Sequence, residues 1–118
     1  MDVKELRIGN LVEILGEERV VETISNMPSR GEMYWVGTKG LMDVKMIHVK
    51  PIKITEEWLL EKGFEEEEYA GGCYSLEGIS IDTSDFQCAV NGKWIDPNIT
   101  YKHQLQNLYL TLKGKELI

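Results

Sequence analysis

The sequence is poor in cysteine and proline and has no long hydrophobic run, with only two cysteines and three prolines in 118 residues. Two thiols are too few for the disulfide framework of a small secreted protein, so both are expected to be reduced. No stretch approaches the roughly 18 apolar residues of a membrane span, and the charged opening MDVKELRIGN lacks the apolar run of a signal peptide. We therefore expect a cytoplasmic protein that makes no membrane contact.

The motifs of common enzyme and metal sites are also missing. There is no GxSxG, no glycine-rich phosphate loop and no HExxH. Zinc ligands usually occur in pairs about two to four residues apart, whereas no two candidates here are closer than fifteen residues. Those candidates are His48, Cys73, Cys88 and His103. We predict that the protein is not an enzyme and has no catalytic residues, no cofactor and no metal.

Charge is unevenly distributed along the chain. The net charge is −7, which disfavours a general affinity for nucleic acid because that affinity depends on Lys and Arg contacts to phosphates. Residues 1–54 contain eight acidic and eight basic side chains, whereas residues 55–118 contain twelve acidic and five basic ones. The length suits one compact domain or two small lobes that share a core. We divide the chain after residue 54 and expect its two parts to present different surfaces to a charged partner.

Residues 1–54 have the pattern of short strands joined by tight turns. Apolar and polar residues alternate in residues 11–15 and 33–40, a further strand is predicted at residues 18–25, and residues 41–54 add one or two more. Residues 26–32, NMPSRGE, combine Asn, Pro, Ser and Gly and are predicted to form a loop. Four or five strands at this spacing predict a small SH3-like β-barrel.

Residues 55–64 carry a full set of helix signals. Thr55 is a natural N-cap. Gly63 can end the helix in the left-handed conformation, with Phe64 packed back onto Leu59. These signals predict a short helix of about two turns.

The chain then continues with a connector and a second set of strands. The four glutamates at 65–68 are expected to be solvated, and period-two alternation returns after them. Asn91-Gly92 is the preferred type I′ turn pair and lies between β-forming residues, so it predicts a hairpin. The same alternation buries Cys88. We expect a small antiparallel sheet in this part of the chain.

The period becomes helical from Tyr101 to Gly114, where a glycine again marks the end. An apolar stripe along this helix is formed by Tyr101, Leu105, Leu108, Tyr109 and Leu112. The side chains expected to join the two parts into one core are Trp58, Leu59, Phe64, Leu105, Leu108 and Leu112. The predicted fold class is therefore α+β: an N-terminal SH3-like barrel, a helix, a small antiparallel sheet and a C-terminal helix.

Three blocks of the sequence resemble one family: ELRIGNLV at residues 5–12, PIKITEEWLLEKGF at 51–64 and HQLQNLYLTLKGKEL at 103–117. In the same order, they are similar to short proteins of Bacteroides-type gut bacteria that are often associated with phages and mobile elements. The blocks cover about a third of the chain. No activity, catalytic residue or cofactor is assigned to that family, so the resemblance implies a cellular context and no chemistry.

The C-terminal helix offers a candidate surface for a protein partner on the side away from the apolar stripe. This side is formed by His103, Gln104, Gln106, Asn107 and Leu110. A row of amides is unusual on a purely solvated face, where Glu and Lys serve better, and it suits hydrogen bonding to a partner. The alternative is that the adjacent sheet satisfies these amides internally. An exposed Leu110 would equally suit a homodimer.

A second candidate surface lies on one edge of the predicted barrel. Strand alternation places Ile47 inward and His48 and Lys50 outward, and Lys45 adds to a locally basic edge. With Trp35 nearby, this edge could hold an unpaired nucleic-acid strand or a proline-rich peptide by stacking. The alternative is that Trp35 belongs to the core and the lysines only keep the surface soluble.

These features favour a non-catalytic binding or adaptor protein of phage or mobile-element origin. It would contact another protein through the C-terminal helix and the neighbouring acidic surface. Two alternatives stay open: nucleic-acid binding by the barrel edge, and an acidic inhibitor that mimics DNA and occupies a DNA-handling enzyme. A salt-dependent shift with single-stranded DNA or RNA would distinguish the first alternative from the adaptor.

Overall fold

The computed structural model describes residues 3–27, 33–68, 71–96 and 98–117. It contains two five-stranded antiparallel sheets and two α-helices, which confirms the α+β class. The molecule is elongated, with principal dimensions of 53 × 25 × 24 Å. No helix within these ranges is long and apolar enough to cross a membrane.

The first sheet consists of β1 (Leu11–Ile14), β2 (Glu17–Met27), β3 (Met33–Thr38), β4 (Leu41–Lys45) and β5 (Val49–Lys50). The strand order is β4-β3-β2-β1-β5. The long strand β2 pairs with β1 through its first residues and with β3 through the rest, with a register shift between Val21 and Thr23. A 3₁₀ turn, Met46–His48, precedes β5.

The described strands do not close into the barrel that the sequence predicts. β4 and β5 are the two edges of the sheet and are not hydrogen-bonded to each other. The 3₁₀ turn interrupts strand geometry between them, and β5 is only two residues long. The turn also corrects the predicted orientation of Ile47, which is strongly exposed, because side chains in a 3₁₀ turn do not alternate. Residues 28–32 of the predicted loop lie outside the described ranges.

A small set of aliphatic side chains forms the core of the first half. Its buried members are Leu6, Val12, Ile14, Val21, Val36 and Val49. Alternation along β1 explains two of them, since Val12 and Ile14 are buried, whereas Leu11 and Glu13 point the other way. None of these six side chains is aromatic.

The second half contains α1 (Glu56–Glu61), β6 (Glu65–Glu66), β7 (Cys73–Leu76), β8 (Ile79–Asp82), β9 (Cys88–Val90), β10 (Lys93–Ile95) and α2 (Lys102–Lys113). The strands form a meander in the order β10-β9-β8-β7-β6. The sequence predicts a solvated connector at residues 65–68. In the structure, Glu65 and Glu66 instead form strand β6 and pair with β7. Both glutamates are exposed at the edge of the sheet, where charged side chains are tolerated.

The predicted helix and turn signals of this half are confirmed. Thr55 caps α1 by accepting a hydrogen bond from the Trp58 backbone N–H at 3.2 Å. Gly63 has φ 94°, and the Phe64 N–H that follows donates to the Leu59 carbonyl at 3.0 Å. The glycine that ends α2 and the turn pair of the β9–β10 hairpin also adopt the left-handed conformation.

A larger core lies between the second sheet and the two helices. Its buried members are Ile54, Trp58, Leu59, Phe64, Tyr74, Ile79, Ile81, Cys88, Ile99, Leu105, Tyr109 and Leu117. Leu108 packs against this core, but Leu112 is exposed because residues 111–113, the last turn of α2, all face solvent. The buried side chains form two clusters instead of the single core expected from the sequence, and Leu11 of the first half packs against the second cluster.

Candidate interaction surfaces

Two amide side chains of α2, those of Gln106 and Asn107, contact the first half of the chain. Gln106 accepts a hydrogen bond from the Leu11 backbone N–H at 2.8 Å and donates to the Gly9 carbonyl at 3.3 Å. The short strand β5 pairs only with Glu13 and Ile14 of β1, so the start of β1 needs another partner. Gln106, which is 5% exposed, takes that place. Helix α2 and residues 114–117 after it make several contacts with the first half. We call these contacts the junction.

Asn107 and Gln104 are also hydrogen-bonded within the chain. Asn107 accepts from the Asn10 side-chain amide and donates to the Glu5 carbonyl, both at 2.8 Å. Gln104 accepts from two backbone N–H groups just before α2, at 2.9 and 3.0 Å, and so caps the start of the helix. The side-chain amides of Gln104, Gln106 and Asn107 are therefore all hydrogen-bonded within the chain.

His103 lies inside the molecule, only 1% exposed and stacked on Tyr101 with ring centroids 6.1 Å apart. Its Nε2 is 3.9 Å from the Glu5 carboxylate. Burial lowers the pKa of His103, and the Glu5 carboxylate acts in the opposite direction. The prediction that His103 and Gln106 lie on an outer surface is wrong, because α2 is buried on two sides. Leu110 is half-buried, and a partner contact there stays a prediction.

Ion pairs strengthen the junction at two points. The Arg7 guanidinium contacts both Glu116 carboxylate oxygens, at 2.7 and 2.9 Å. The Lys102 ammonium lies 2.6 Å from a Glu18 oxygen and 5.2 Å from the centroid of the Trp58 ring. Because Lys102 is buried, these two neighbours compensate the cost of removing its charge from water.

The predicted basic edge is divided between two places. Lys45 lies over the ring of half-buried Trp35, 5.6 Å from its centroid, so this face of the indole is already covered. His48 and Lys50 are exposed and line a hollow together with Glu13. The four side chains grouped for nucleic-acid binding therefore form two pairs.

Neither cysteine thiol has the environment of a nucleophile. Burial raises the pKa of Cys88 to about 11. Burial also raises the pKa of Cys73, and the carboxylates of Asp82 and Glu67 act in the same direction. Both thiols are therefore protonated at neutral pH. In the described ranges, no three of the His, Cys, Asp and Glu side chains form a group that could hold a metal ion.

The outer face of the second sheet is a shallow trough. Cross-strand register places one row of residues across it: Glu65, Ser75, Ser80, Ala89 and Trp94. The neighbouring row, which includes Tyr74, Ile81 and Cys88, faces the core, so the first row faces outward. Its three central residues are small, and its ends carry a carboxylate and an indole. Two adjoining hollows of about 490 and 240 Å³ lie along this face, which we call the acidic trough.

Carboxylates line the acidic trough, and none of its described lining residues is Lys or Arg. The Glu65 side chain is exposed and forms no ion pair or hydrogen bond within the described ranges. Glu67 uses one oxygen to accept from a serine hydroxyl on the floor, at 3.3 Å. Hydrogen bonds from the Ser84 hydroxyl and backbone lower the pKa of Asp82 and keep it ionised. On the other wall, Trp94 is 60% exposed.

The sequence pattern does not reveal this surface, since it predicts a solvated connector at Glu65 and Glu67. A local signal exists, because Ser75 and Ser80 alternate with apolar residues. Which residues meet across the strands depends on register, and alternation alone leaves register open. No protein-family model, curated protein or solved structure matches the chain.

Proposed function

We propose that the protein is a non-catalytic binding module that holds a basic segment of a partner protein in the acidic trough. One observation carries this proposal. The exposed Trp94 indole lies beside a floor of small side chains, and carboxylates surround this floor. A basic side chain laid on that floor meets an aromatic face on one side and carboxylates on the other.

Each hollow of the trough offers what one basic side chain needs. The smaller hollow combines Trp94 with Glu67 and Asp82, and the larger one combines Glu67 with Glu65. Glu77 also lines the larger hollow, but its carboxylate is already paired with Tyr109 and Lys115. A cation over an indole contributes about 0.5–2 kcal/mol, and a carboxylate orients a guanidinium by charge-assisted hydrogen bonds. Arginine suits the indole wall better than lysine, because its planar guanidinium stacks on the ring.

The length of the trough indicates an extended segment rather than a single side chain. Glu65 and Trp94 are separated by four strand spacings, about 19 Å in total. One basic side chain cannot reach both ends, so the segment needs at least two. The net charge of −7 in residues 55–118 adds long-range attraction for such a partner.

For the first half, we propose an SH3-like arrangement of the open sheet. Its support is the order of the strands, with the last beside the first, the long second strand that takes part in two pairings and the 3₁₀ turn before the last strand. The resemblance to Bacteroides-type proteins supports a phage or mobile-element origin. The free thiols Cys73 and Cys88 fit a reducing cytoplasm.

A peptide titration followed by NMR tests the trough. The probe is an unstructured peptide with two arginines about four residues apart, which spans about 13 Å when extended. The control peptide carries uncharged citrulline in place of both arginines. We expect the Trp94 indole N–H resonance to shift only with the arginine peptide, with a Kd between about 1 μM and 1 mM that rises with salt.

Matched variants separate the trough from general charge attraction. Trp94→Ala and Glu67→Gln are each expected to weaken binding by about fivefold or more, measured at the backbone amide resonances of Ser75 and Ser80, which both variants keep. Glu57→Gln removes the same charge from the exposed face of α1 and is expected to leave the affinity nearly unchanged. Equal weakening by Glu57→Gln, or no shift at Trp94, would overturn the proposal.

NMR titration with other ligands tests the two alternatives, nucleic-acid binding and DNA mimicry. A single-stranded DNA oligonucleotide that shifts the resonances of Trp35, Lys45, His48 and Lys50 would support the basic edge as a nucleic-acid site instead. If a basic DNA-binding protein occupies the trough and double-stranded DNA releases it, the module acts as an inhibitor that mimics DNA.

A further inference from the structure

The turn between β1 and β2 contains a leucine, Leu15, in a backbone conformation that disfavours leucine. Leu15 has φ 55° and Gly16 has φ 79°, which is the left-handed pair of a type I′ hairpin. The hairpin between β9 and β10 has Asn91 at the corresponding position, with φ 51°. Asparagine tolerates the left-handed conformation, whereas a leucine side chain is strained there. The turn itself therefore does not account for a leucine.

Packing does not account for Leu15 either, because it is 80% exposed. Ile47, at the centre of the 3₁₀ turn, is 79% exposed. Both side chains line one hollow of about 160 Å³, and we call them the Leu15/Ile47 patch. Two large aliphatic side chains so exposed at one place favour a docked partner over water. The polar rim of the hollow consists of Glu13, His48 and Lys50.

This rim is self-complementary in charge. Glu13 and Lys50 are directly opposite in the β1–β5 register, yet none of the ion pairs among the described residues joins them. The carboxylate and the ammonium are therefore both open to a partner. A two-fold axis can pass through the patch so that Glu13 of one copy faces Lys50 of the other and the two aliphatic pairs pack together.

The charge distribution favours the same contact. Residues 1–54 are neutral overall, whereas residues 55–118 carry a net charge of −7. Two copies therefore repel each other when they approach by their second halves, but not when they approach by their first halves. We propose that the Leu15/Ile47 patch is a self-association surface, at which a second copy of this chain docks with two-fold symmetry. The lining residues of the patch and of the acidic trough do not overlap, so neither proposal depends on the other.

Sedimentation equilibrium of the full chain at increasing concentration tests this proposal. We expect a monomer–dimer equilibrium with a Kd between about 10 μM and 1 mM, because so small a contact lies at the weak end of protein interfaces. Leu15→Asn and Ile47→Lys are each expected to raise the Kd about tenfold or more. Leu60→Lys changes an exposed leucine of α1 and is the matched control, with an unchanged Kd.

A charge exchange tests the symmetry of the contact. Lys50→Glu alone brings carboxylates together across the interface and raises the Kd, whereas Glu13→Lys combined with Lys50→Glu restores it to within about threefold. Circular dichroism verifies that each variant is folded. A monomer at every concentration up to about 1 mM, an equal effect of Leu60→Lys, or a double variant no better than the single one would each overturn the proposal.

Discussion

The two halves of the chain differ in how they are stabilised. Among the described side chains of the first half, six aliphatic ones are buried under an open sheet that has β4 and β5 at its edges. The second half has a larger core that includes four aromatic side chains and is covered by two helices. Since hydrophobic stabilisation grows with the apolar area removed from water, the second half is the more stable unit and the first half depends more on its neighbour.

The contact between the halves combines hydrogen bonds and ion pairs with apolar packing, since Leu11 and Ile54 of the first half pack in the second core. Gln106 and Asn107 bind the backbone and an amide of the first half, and Lys102 pairs with Glu18. Such contacts add modest net stability but require a defined geometry. α2 therefore has an apolar side that stabilises its own half and a polar side that fixes the orientation of the other.

Removing an aromatic side chain from the second core has the largest expected effect. Phe64→Ala is expected to lower the free energy of unfolding by about 3–5 kcal/mol, because it leaves a cavity at a fully buried site. Val36→Ala removes fewer atoms from the first core and is expected to cost about 2 kcal/mol. Urea unfolding, followed by NMR at the Trp35 and Trp58 indoles, measures both effects.

The two indoles report on different halves, so this experiment also tests the dependence of one half on the other. If the first half needs the second, Phe64→Ala lowers the unfolding midpoint at both Trp35 and Trp58. Val36→Ala then shifts mainly the midpoint at Trp35. An unchanged Trp35 midpoint in Phe64→Ala would show that the first half folds without help from the second.

Loss of an amide from the junction has the next largest expected effect. Gln106→Ala leaves the partly buried Leu11 N–H and Gly9 carbonyl without their partner, which is expected to cost about 1–3 kcal/mol. Calorimetric unfolding measures the loss. Gln87→Ala, at an exposed glutamine, is the control and should stay within about 0.5 kcal/mol of the unsubstituted protein. A Gln106→Ala protein as stable as this control would mean that the junction does not depend on the amide.

Local signals explain the parts of the fold that the sequence predicts correctly. The cap at Thr55, the helix end at Gly63 and the Asn91-Gly92 hairpin each depend on residues a few positions apart, and all three are present. Helical periodicity likewise places Leu105 and Tyr109 in the core. The class α+β follows from these signals alone.

Non-local contacts explain the errors. Gln106 bonds to a backbone N–H 95 residues earlier in the chain, and a helical period cannot distinguish such a neighbour from solvent or from a foreign partner. The acidic trough exists because four successive strand pairings align Glu65 with Trp94, and none of those registers is encoded by alternation. The exposure of Ile47 follows from a 3₁₀ turn where the pattern predicts a strand.

The pH dependence of stability tests whether His103 stays neutral inside the molecule. Because burial lowers its pKa in the folded protein, the unfolded chain binds a proton first as the pH falls below about 6.5. Stability is therefore fully present above this pH and falls below it, by at most about 1.4 kcal/mol per pH unit. Urea unfolding on both sides of this pH measures the slope. The slope should be smaller in His103→Gln, and an equal slope in this variant and in the unsubstituted protein would contradict the assignment.

The smallest expected effect compares two hairpins, one in each half, that share a left-handed turn position. Leu15→Asn is expected to raise the free energy of unfolding by about 0.5–1 kcal/mol, because asparagine accepts this conformation and the exposed leucine contributes little packing. Asn91→Leu is expected to lower it by a similar amount. Urea unfolding at low protein concentration, where the monomer dominates, measures both changes without a contribution from self-association. If the free energy of unfolding rises in Leu15→Asn and falls in Asn91→Leu, both turns prefer asparagine, and the turn does not account for Leu15. A Leu15→Asn protein that is less stable would mean that the leucine supports the fold, and its exposure would then be no sign of a docked partner.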